Sequence, residues 1–274
     1  MRAVFSSTYD DQYLFFLPIT VWCWNKLDVK TTVIMPNVSQ ASSDESNRAA
    51  LVFGTLEKLF PGSDHESVQH FKCPKHKEAT YAQVGRLFAG AMVLPKDEIL
   101  VTTDIDMLVF KNVFFDSMGF LNILGHDLVP SGQFPMCYAY AKTKVWRDVM
   151  NIGVKSFQEC LDEKLGHEEC ENMRGNLWAR DQELLYQHAC GENGALRLIK
   201  RARPETQFAM NRIDRDDSFF MDRLNSDIID YHMHRPGYTQ ENFHKILGVI
   251  QYFYPGEALT WMMDYRNQYV KLIQ

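Results

Sequence analysis

The chain has 274 residues, 46% hydrophobic and 23% charged, with a formal net charge of −6 at pH 7 and a pI near 5.8. This length holds one large α/β domain or two small ones, and the acidic balance excludes a general nucleic-acid binder, which needs a basic face. Anionic substrates must be met by local cations or a metal ion rather than by the global field.

The first expected element is a short strand over residues 3–8, followed by an apolar helix over 13–27 and a second strand over 31–36. An amphipathic helix is expected over 46–59, with Ser46 as N-cap and Pro61-Gly62 as its stop. A further helix spans 80–93. Strands alternating with helices imply a parallel sheet with right-handed crossovers. Beyond Lys111 the pattern is mixed: extended segments over 127–141 around Ser131-Gly132, helices over 144–161 and 179–188, and candidate strands over 196–199 and 228–234. There is no internal repeat and no low-complexity tract. A single α/β domain over 1–274 is expected, with a central, mostly parallel mixed sheet flanked by helices.

The six cysteines (Cys23, Cys73, Cys137, Cys160, Cys170 and Cys190) include no CxxC pair, which fits reduced thiols. Spacing alone leaves a Cys160–Cys170 bridge open. No run approaches the ~18 apolar residues of a membrane span, and no apolar leader with a cleavage site follows Met1-Arg2-Ala3-Val4-Phe5. A soluble, cytoplasmic protein is the expectation.

The most informative stretch is Ile99-Leu100-Val101-Thr102-Thr103-Asp104-Ile105-Asp106-Met107-Leu108-Val109-Phe110. It reads as one buried strand broken by two carboxylates, which at i and i+2 share a face. An unpaired carboxylate is too costly in such a site, so these must be paired, protonated or metal-bound. Two hard oxygen ligands at one point suit Mn²⁺ or Mg²⁺, and they lie towards the carboxyl end of the strand, where open α/β sheets bind ligands. The plainer alternative is a strand end whose acids cap nearby loops.

With these aspartates placed, the chain resembles metal-dependent nucleotide-sugar glycosyltransferases of the GT-A (Rossmann-like) fold, most of all the retaining family 8 group of glycogenin and galactosyltransferase type. Asp10-Asp11-Gln12-Tyr13 is similar to the Asp-Asp-Asn-Tyr turn that holds uridine in that family. Thr80-Tyr81-Ala82, with Arg86 one turn on, is similar to its Thr-Tyr-Ala-Arg helix. Thr103-Asp104-Ile105-Asp106 matches the DxD motif, and Arg180-Asp181-Gln182-Glu183-Leu184-Leu185 is similar to the helix start beneath the donor sugar. His232-Met233-His234-Arg235-Pro236-Gly237-Tyr238 resembles the late segment that completes the metal shell and holds the diphosphate. The departures are the absence of Gly-x-x-Lys-Pro-Trp, a displaced helix arginine, and Pro135-Met136-Cys137-Tyr138-Ala139 in place of the expected Asn-Ser-Gly strand. The compact style also resembles glycosyltransferases of large algal viruses.

The resemblance implies Mn²⁺ (or Mg²⁺) on Asp104 and Asp106, with Asp106 the more direct ligand and Asp104 shared with the ribose. Either His232 or His234 is the third ligand, since both share a face on a strand; packing in the sheet is the plainer role. Thr8, Asp10, Asp11 and Tyr13 would hold the nucleotide, although Asp10 and Asp11 also suit a simple helix N-cap. Arg86 would meet donor hydroxyls or phosphate, or else form a surface salt bridge. Arg235 would hold phosphate, or else sit exposed before a Pro-Gly turn. Asp181 and Gln182 are the candidate catalytic residues beneath the sugar, one of them stabilising oxocarbenium-like charge, with Asp181 as nucleophile or helix cap the alternatives. Trp146, Trp178, Tyr138 and Tyr140 are candidates for a sugar platform, with core packing the plainer role.

The expected reaction is transfer from a nucleotide sugar, UDP-linked favoured, to a glycan or glycoprotein hydroxyl with retention. Residues 1–110 would bind the nucleotide and 111–274 would build the acceptor side. The competing readings are an Asp-x-Asp phosphohydrolase, whose pair belongs on a first strand, and a nucleotidyltransferase, whose glycine-rich loop has no counterpart in Ser6-Ser7-Thr8-Tyr9-Asp10. A binding module on the same fold without turnover is the non-enzyme reading.

Overall fold

The computed structural model describes residues 1–62, 66–113, 119–124, 132–166, 179–190, 195–202, 212–216, 220–257 and 259–274. Strands β1 (Arg2–Ser6), β2 (Lys30–Pro36), β3 (Glu66–Phe71) and β4 (Ile99–Thr102) run parallel in the spatial order β3-β2-β1-β4. The sheet continues through β7 (Ala139–Lys142), β6 (Leu121–Leu124) and β8 (Ile199–Ala202), with β7 antiparallel to both its neighbours. This is the central, mostly parallel mixed sheet expected.

The two-residue side-chain period of each strand divides the core between the faces of the sheet. Ala3, Phe5, Val33, Met35 and Val101 join one cluster, and Val4, Ile34 and Leu100 join the other. The first is covered by α1 (Asp11–Leu14), α2 (Leu17–Asn25) and α3 (Ser43–Leu59), together with α8 (Gln240–Phe253) and α9 (Thr260–Lys271). The second lies under α4 (Glu78–Gly85), α5 (Thr143–Val149), α6 (Phe157–Leu165) and α7 (Arg180–Cys190). Helices on both faces of a parallel sheet explain why its strands read as nearly continuous apolar runs.

Several expected elements are divided. The helix over 13–27 is two pieces, because Pro18 in the first turn of α2 has no N–H to continue a helix from α1. The helix over 46–59 starts earlier, at Ser43, with Ser42 and Glu45 forming a reciprocal capping box in place of Ser46. The helix over 80–93 is α4 followed by a 3₁₀ segment, Arg86–Ala91. That over 144–161 is broken at Asn151 and Gly153, both at positive φ, before Ser156 caps α6. Within 196–199, residues Ala195–Leu198 are a 3₁₀ turn and β8 begins at Ile199.

The main correction concerns residues 99–110, which are not one strand. β4 ends at Thr102, and residues 103–106 turn, with the Met107 N–H donating to the Asp104 carbonyl at 3.2 Å. β5 (Met107–Val109) then enters a second sheet of order β5-β10-β9, with β9 (Arg212–Ile213) and β10 (Asp230–His232). An apolar run does not reveal which sheet each half joins, and the turn lets the two aspartates reach different partners instead of sharing a strand face.

Candidate active site

Adjacent parallel strands β1 and β4 mark the point where the chain changes direction across the sheet: β2 and β3 build outward from β1, and the rest builds outward from β4. Open α/β sheets leave a crevice at the carboxyl ends of such a strand pair. Residues 7–13 follow β1 there, and residues 103–106 follow β4.

Around Arg86 three distant segments meet. Its guanidinium donates to Asp104 Oδ1, to the Thr103 carbonyl at 3.0 Å and to Asp181 Oδ2 at 2.6 Å. Arg86 is not a surface salt bridge; it is 5% exposed, and Asp181 is fully buried. The second Asp181 oxygen accepts the Gln182 N–H at 2.9 Å. Burial, the strongest influence, pushes the Asp181 carboxyl up against the pull of Arg86. With both oxygens engaged and no exposed surface, Asp181 holds Arg86 in place and is not presented as a nucleophile. Gln182 carries the opposite signature: its side-chain Oε1 is buried and has no hydrogen-bond partner among the described residues, while its carbonyl accepts the Phe134 N–H at 3.1 Å. A buried acceptor that the protein itself does not satisfy is open to an ordered water or to a bound ligand.

A second cluster forms on Asp106. Its Oδ2 accepts from Arg215 Nη1 at 2.8 Å, with His232 Nε2 and Arg235 Nε each 3.3 Å away. Burial alone would raise the Asp106 carboxyl, but His232, Arg215 and Arg235 hold it at about 2. Burial likewise opposes a charged His232, yet Asp106 on one ring nitrogen and Asp214, at 3.3 Å from the other, raise it to about 9. His232 in turn holds Asp214 at about 2. Arg235 also reaches the Tyr13 hydroxyl, and its guanidinium lies 5.2 Å from the centre of the Tyr13 ring.

The two histidines separate. β10 ends at His232, and His234 bonds through Nδ1 to the Tyr231 hydroxyl at 2.6 Å, so the pair does not share a strand face. Asp10 caps α1, accepting the Gln12 N–H at 2.9 Å, and its own N–H donates to Thr8 Oγ1 at 3.3 Å. Asp11 accepts from the Tyr238 hydroxyl at 2.7 Å. Trp146, Tyr138 and Tyr140 are core residues rather than a sugar platform. Trp178, Ser131 and Cys170 lie outside the described residues; Cys23, Cys73, Cys137, Cys160 and Cys190 are free thiols.

Four further residues of this region carry no signal in the sequence. Arg212 and Asp230 are register partners across β9 and β10 and form two hydrogen bonds of 2.9 Å, bracing the small sheet beneath the Asp106 cluster. Asp214 and Arg215 sit in a charged stretch, Arg212-Ile213-Asp214-Arg215-Asp216-Asp217, that reads as a solvated loop.

For a divalent ion, the donor chemistry fits in part. Asp106 Oδ2 and His232 Nε2 are 3.3 Å apart, close to the ~3 Å between neighbouring ligands of an octahedral ion with bonds of ~2.1 Å. Carboxylate and imidazole both suit Mn²⁺. Among the described residues, no three His, Cys, Asp or Glu side chains stand together as a ready-formed cage. No described helix is long and apolar enough to cross a membrane.

No protein-family model and no curated protein matches the sequence. Among solved structures, the chain is similar to the galactosyltransferase LgtC in complex with donor and acceptor sugar analogues, at 12% identity and a TM-score of 0.46, over 99% of this chain and 95% of that one. It is similar to the glycosyltransferase GlyE of Streptococcus pneumoniae TIGR4 at 12% identity and a TM-score of 0.48, over 98% of this chain and 63% of that one. Mouse xyloside xylosyltransferase 1 follows at 8% identity and a TM-score of 0.38, over 85% and 97%. Likeness at this level transfers no activity and no residue's role to the present chain.

Proposed function

We propose that the chain is a glycosyltransferase that moves a sugar from a nucleoside-diphosphate donor, UDP-linked, to an acceptor hydroxyl with retention, assisted by Mn²⁺ or Mg²⁺. The observation that carries this reading is convergence. Residues 10–13, 80–86, 103–106, 181–182 and 232–235 resemble separate donor-site motifs, and they supply one continuous set of contacts at the end of β1 and β4. That set runs from Asp181 through Arg86 to the 103–106 turn, and from Asp106 through Arg235 to Tyr13.

In this reading Tyr13 and Asp11 receive the base and ribose, and Arg235 binds diphosphate oxygens, for which its fork of donors is suited. Asp106 and His232 would hold the ion, with Asp104 beside them. A bound divalent ion acts as a Lewis acid that neutralises charge on the departing diphosphate. Arg86 keeps the Asp104 side of the turn in position, and Asp181 keeps Arg86. Gln182 offers its unpaired oxygen to the sugar, where an acceptor beneath the anomeric centre stabilises positive charge as the glycosidic bond lengthens. A phosphohydrolase would need a free aspartate nucleophile, whereas both DxD carboxylates are engaged by cationic side chains.

Release of nucleoside diphosphate from a panel of UDP- and GDP-sugars, with Mn²⁺ and with EDTA, tests the reading. Slow release from one donor, lost in EDTA, is the expected result. Absence of release from every donor, with and without simple sugar acceptors, would overturn it.

A further inference from the structure

Three cationic or protonatable side chains converge on one atom, Asp106 Oδ2. Two guanidinium groups and an imidazole crowd it, and the strongest contact, 2.8 Å, belongs to Arg215. Arg215 also donates to the Met233 carbonyl at 3.3 Å, and the Met233 N–H donates to the Asp106 carbonyl at 2.8 Å. The guanidinium thus lies against the backbone link that ties the 103–106 turn to the segment after β10.

A divalent ion held on the edge between Asp106 Oδ2 and His232 Nε2 would need the oxygen that Arg215 holds, and it would enter beside the guanidinium charges of Arg215 and Arg235. Repulsion at that range is unfavourable unless a compensating anion arrives with the ion. Arg215 gives only one of its donors, Nη1, to Asp106. A guanidinium has five donors in a planar fork, and phosphate oxygens satisfy two of them at once. A diphosphate therefore offers Arg215 a better partner than the single carboxylate oxygen it would surrender.

We infer that Arg215 couples cation and donor binding: it holds Asp106 in the ligand-free chain and releases that oxygen to the ion as the diphosphate takes the guanidinium. The inference rests on the glycosyl-transfer reading and adds to it a positioning residue from a segment outside every motif that suggested that reading. Coupling of this kind is reciprocal, so each ligand raises the affinity for the other by one factor.

The test is titration of the full chain with Mn²⁺, followed by the electron paramagnetic resonance of free Mn²⁺, alone and with saturating UDP, with GDP in parallel. Wild type is expected to bind Mn²⁺ weakly alone and about tenfold or more tightly with UDP. Arg215→Ala is expected to bind Mn²⁺ more tightly than wild type without nucleotide and to lose most of the enhancement by UDP. Arg215→Gln retains a donor towards Asp106 and the Met233 carbonyl, isolates the charge, and should behave in the same way should the alanine variant fold poorly. Equal enhancement by UDP in wild type and both variants would overturn the role of Arg215 and leave the glycosyl-transfer reading standing. No Mn²⁺ uptake by wild type with either nucleotide would overturn both.

Discussion

Arg86 and Asp181 lie 95 positions apart in sequence and 2.6 Å apart in space, and neither has meaningful exposure to solvent. A charge at that depth is tolerable only because its partner is there. Asp181→Ala should therefore destabilise the fold by about 3 kcal/mol, the lower end of what breaking a buried pair costs, since Asp104 still faces Arg86. Urea unfolding measures the loss; an unchanged midpoint would contradict the pairing.

Gln182 should show the reverse pattern. Removal of a buried acceptor that bonds none of the described residues has little stability to lose, whereas the role proposed for it beneath the reacting sugar is worth about a hundredfold in turnover. Gln182→Ala is expected to keep the wild-type midpoint and to cut diphosphate release from the preferred donor by that order. A variant that turns over normally would remove Gln182 from the site.

His232 and His234 should diverge. His232→Ala takes away one of the two atoms on the 3.3 Å edge with Asp106 and is expected to abolish Mn²⁺-dependent UDP binding. His234→Ala breaks a buried bond to the Tyr231 hydroxyl and should cost about 1 kcal/mol of stability with UDP affinity kept. Calorimetric UDP titrations with and without Mn²⁺ separate the two, and equal effects would mean that neither histidine is specific to the ion.

The metal-free protein should weaken in mild alkali. His232 is raised from 6.5 to about 9 in the fold, so its contribution is fully present below pH 6.5 and disappears as pH rises through 9. That is on the order of 3 kcal/mol at most. Asp106 and Asp214, lowered from 3.8 to about 2, are the same interaction seen from the acid side; it is complete above pH 3.8 and fails as pH falls through 2. Thermal midpoints between pH 6.5 and 9.5 should fall for wild type and run flatter for His232→Ala. Parallel curves would refute the protonated imidazole.

Gly237 permits the close approach of the late segment to the Phe15-Phe16 link between α1 and α2. A Cβ there would stand 2.4 Å from Phe16 Cε1 and 3.0 Å from Phe15 Cδ1. Gly237→Ala should cost about 1–3 kcal/mol through overpacking and, by shifting the neighbouring Arg235, weaken UDP binding as well. A variant with wild-type stability and affinity would show that the segment adjusts freely.

The helices up to residue 190, the strands β1, β2 and β4 and the carboxylate pair were legible because each leaves a local trace: a 3.6-residue apolar period, a β-branched run, or acids where acids are costly; α8 and α9 were not among the expected elements. The edge strand β3 left none, since four of the six residues of Glu66-Ser67-Val68-Gln69-His70-Phe71 are polar, as an edge allows. The division of residues 99–110 between two sheets was hidden because burial in either sheet demands the same apolar residues. Arg215 and the Arg212–Asp230 pair were illegible for a different reason: their partners are distant, and a charged loop looks the same whether it meets solvent or a buried carboxylate.

The turn between β4 and β5 makes the spacing of two neighbouring aspartates a property of the whole molecule. Asp104 is moored through Arg86 to the large sheet and its helices, and Asp106 through Met233 and Arg215 to the small one. The 103–106 turn therefore works like a pair of calipers, each jaw fixed to a different sheet. In the glycosyl-transfer reading, substitutions in the Arg212–Asp230 brace of the small sheet would change the gap between the aspartates without touching any motif residue.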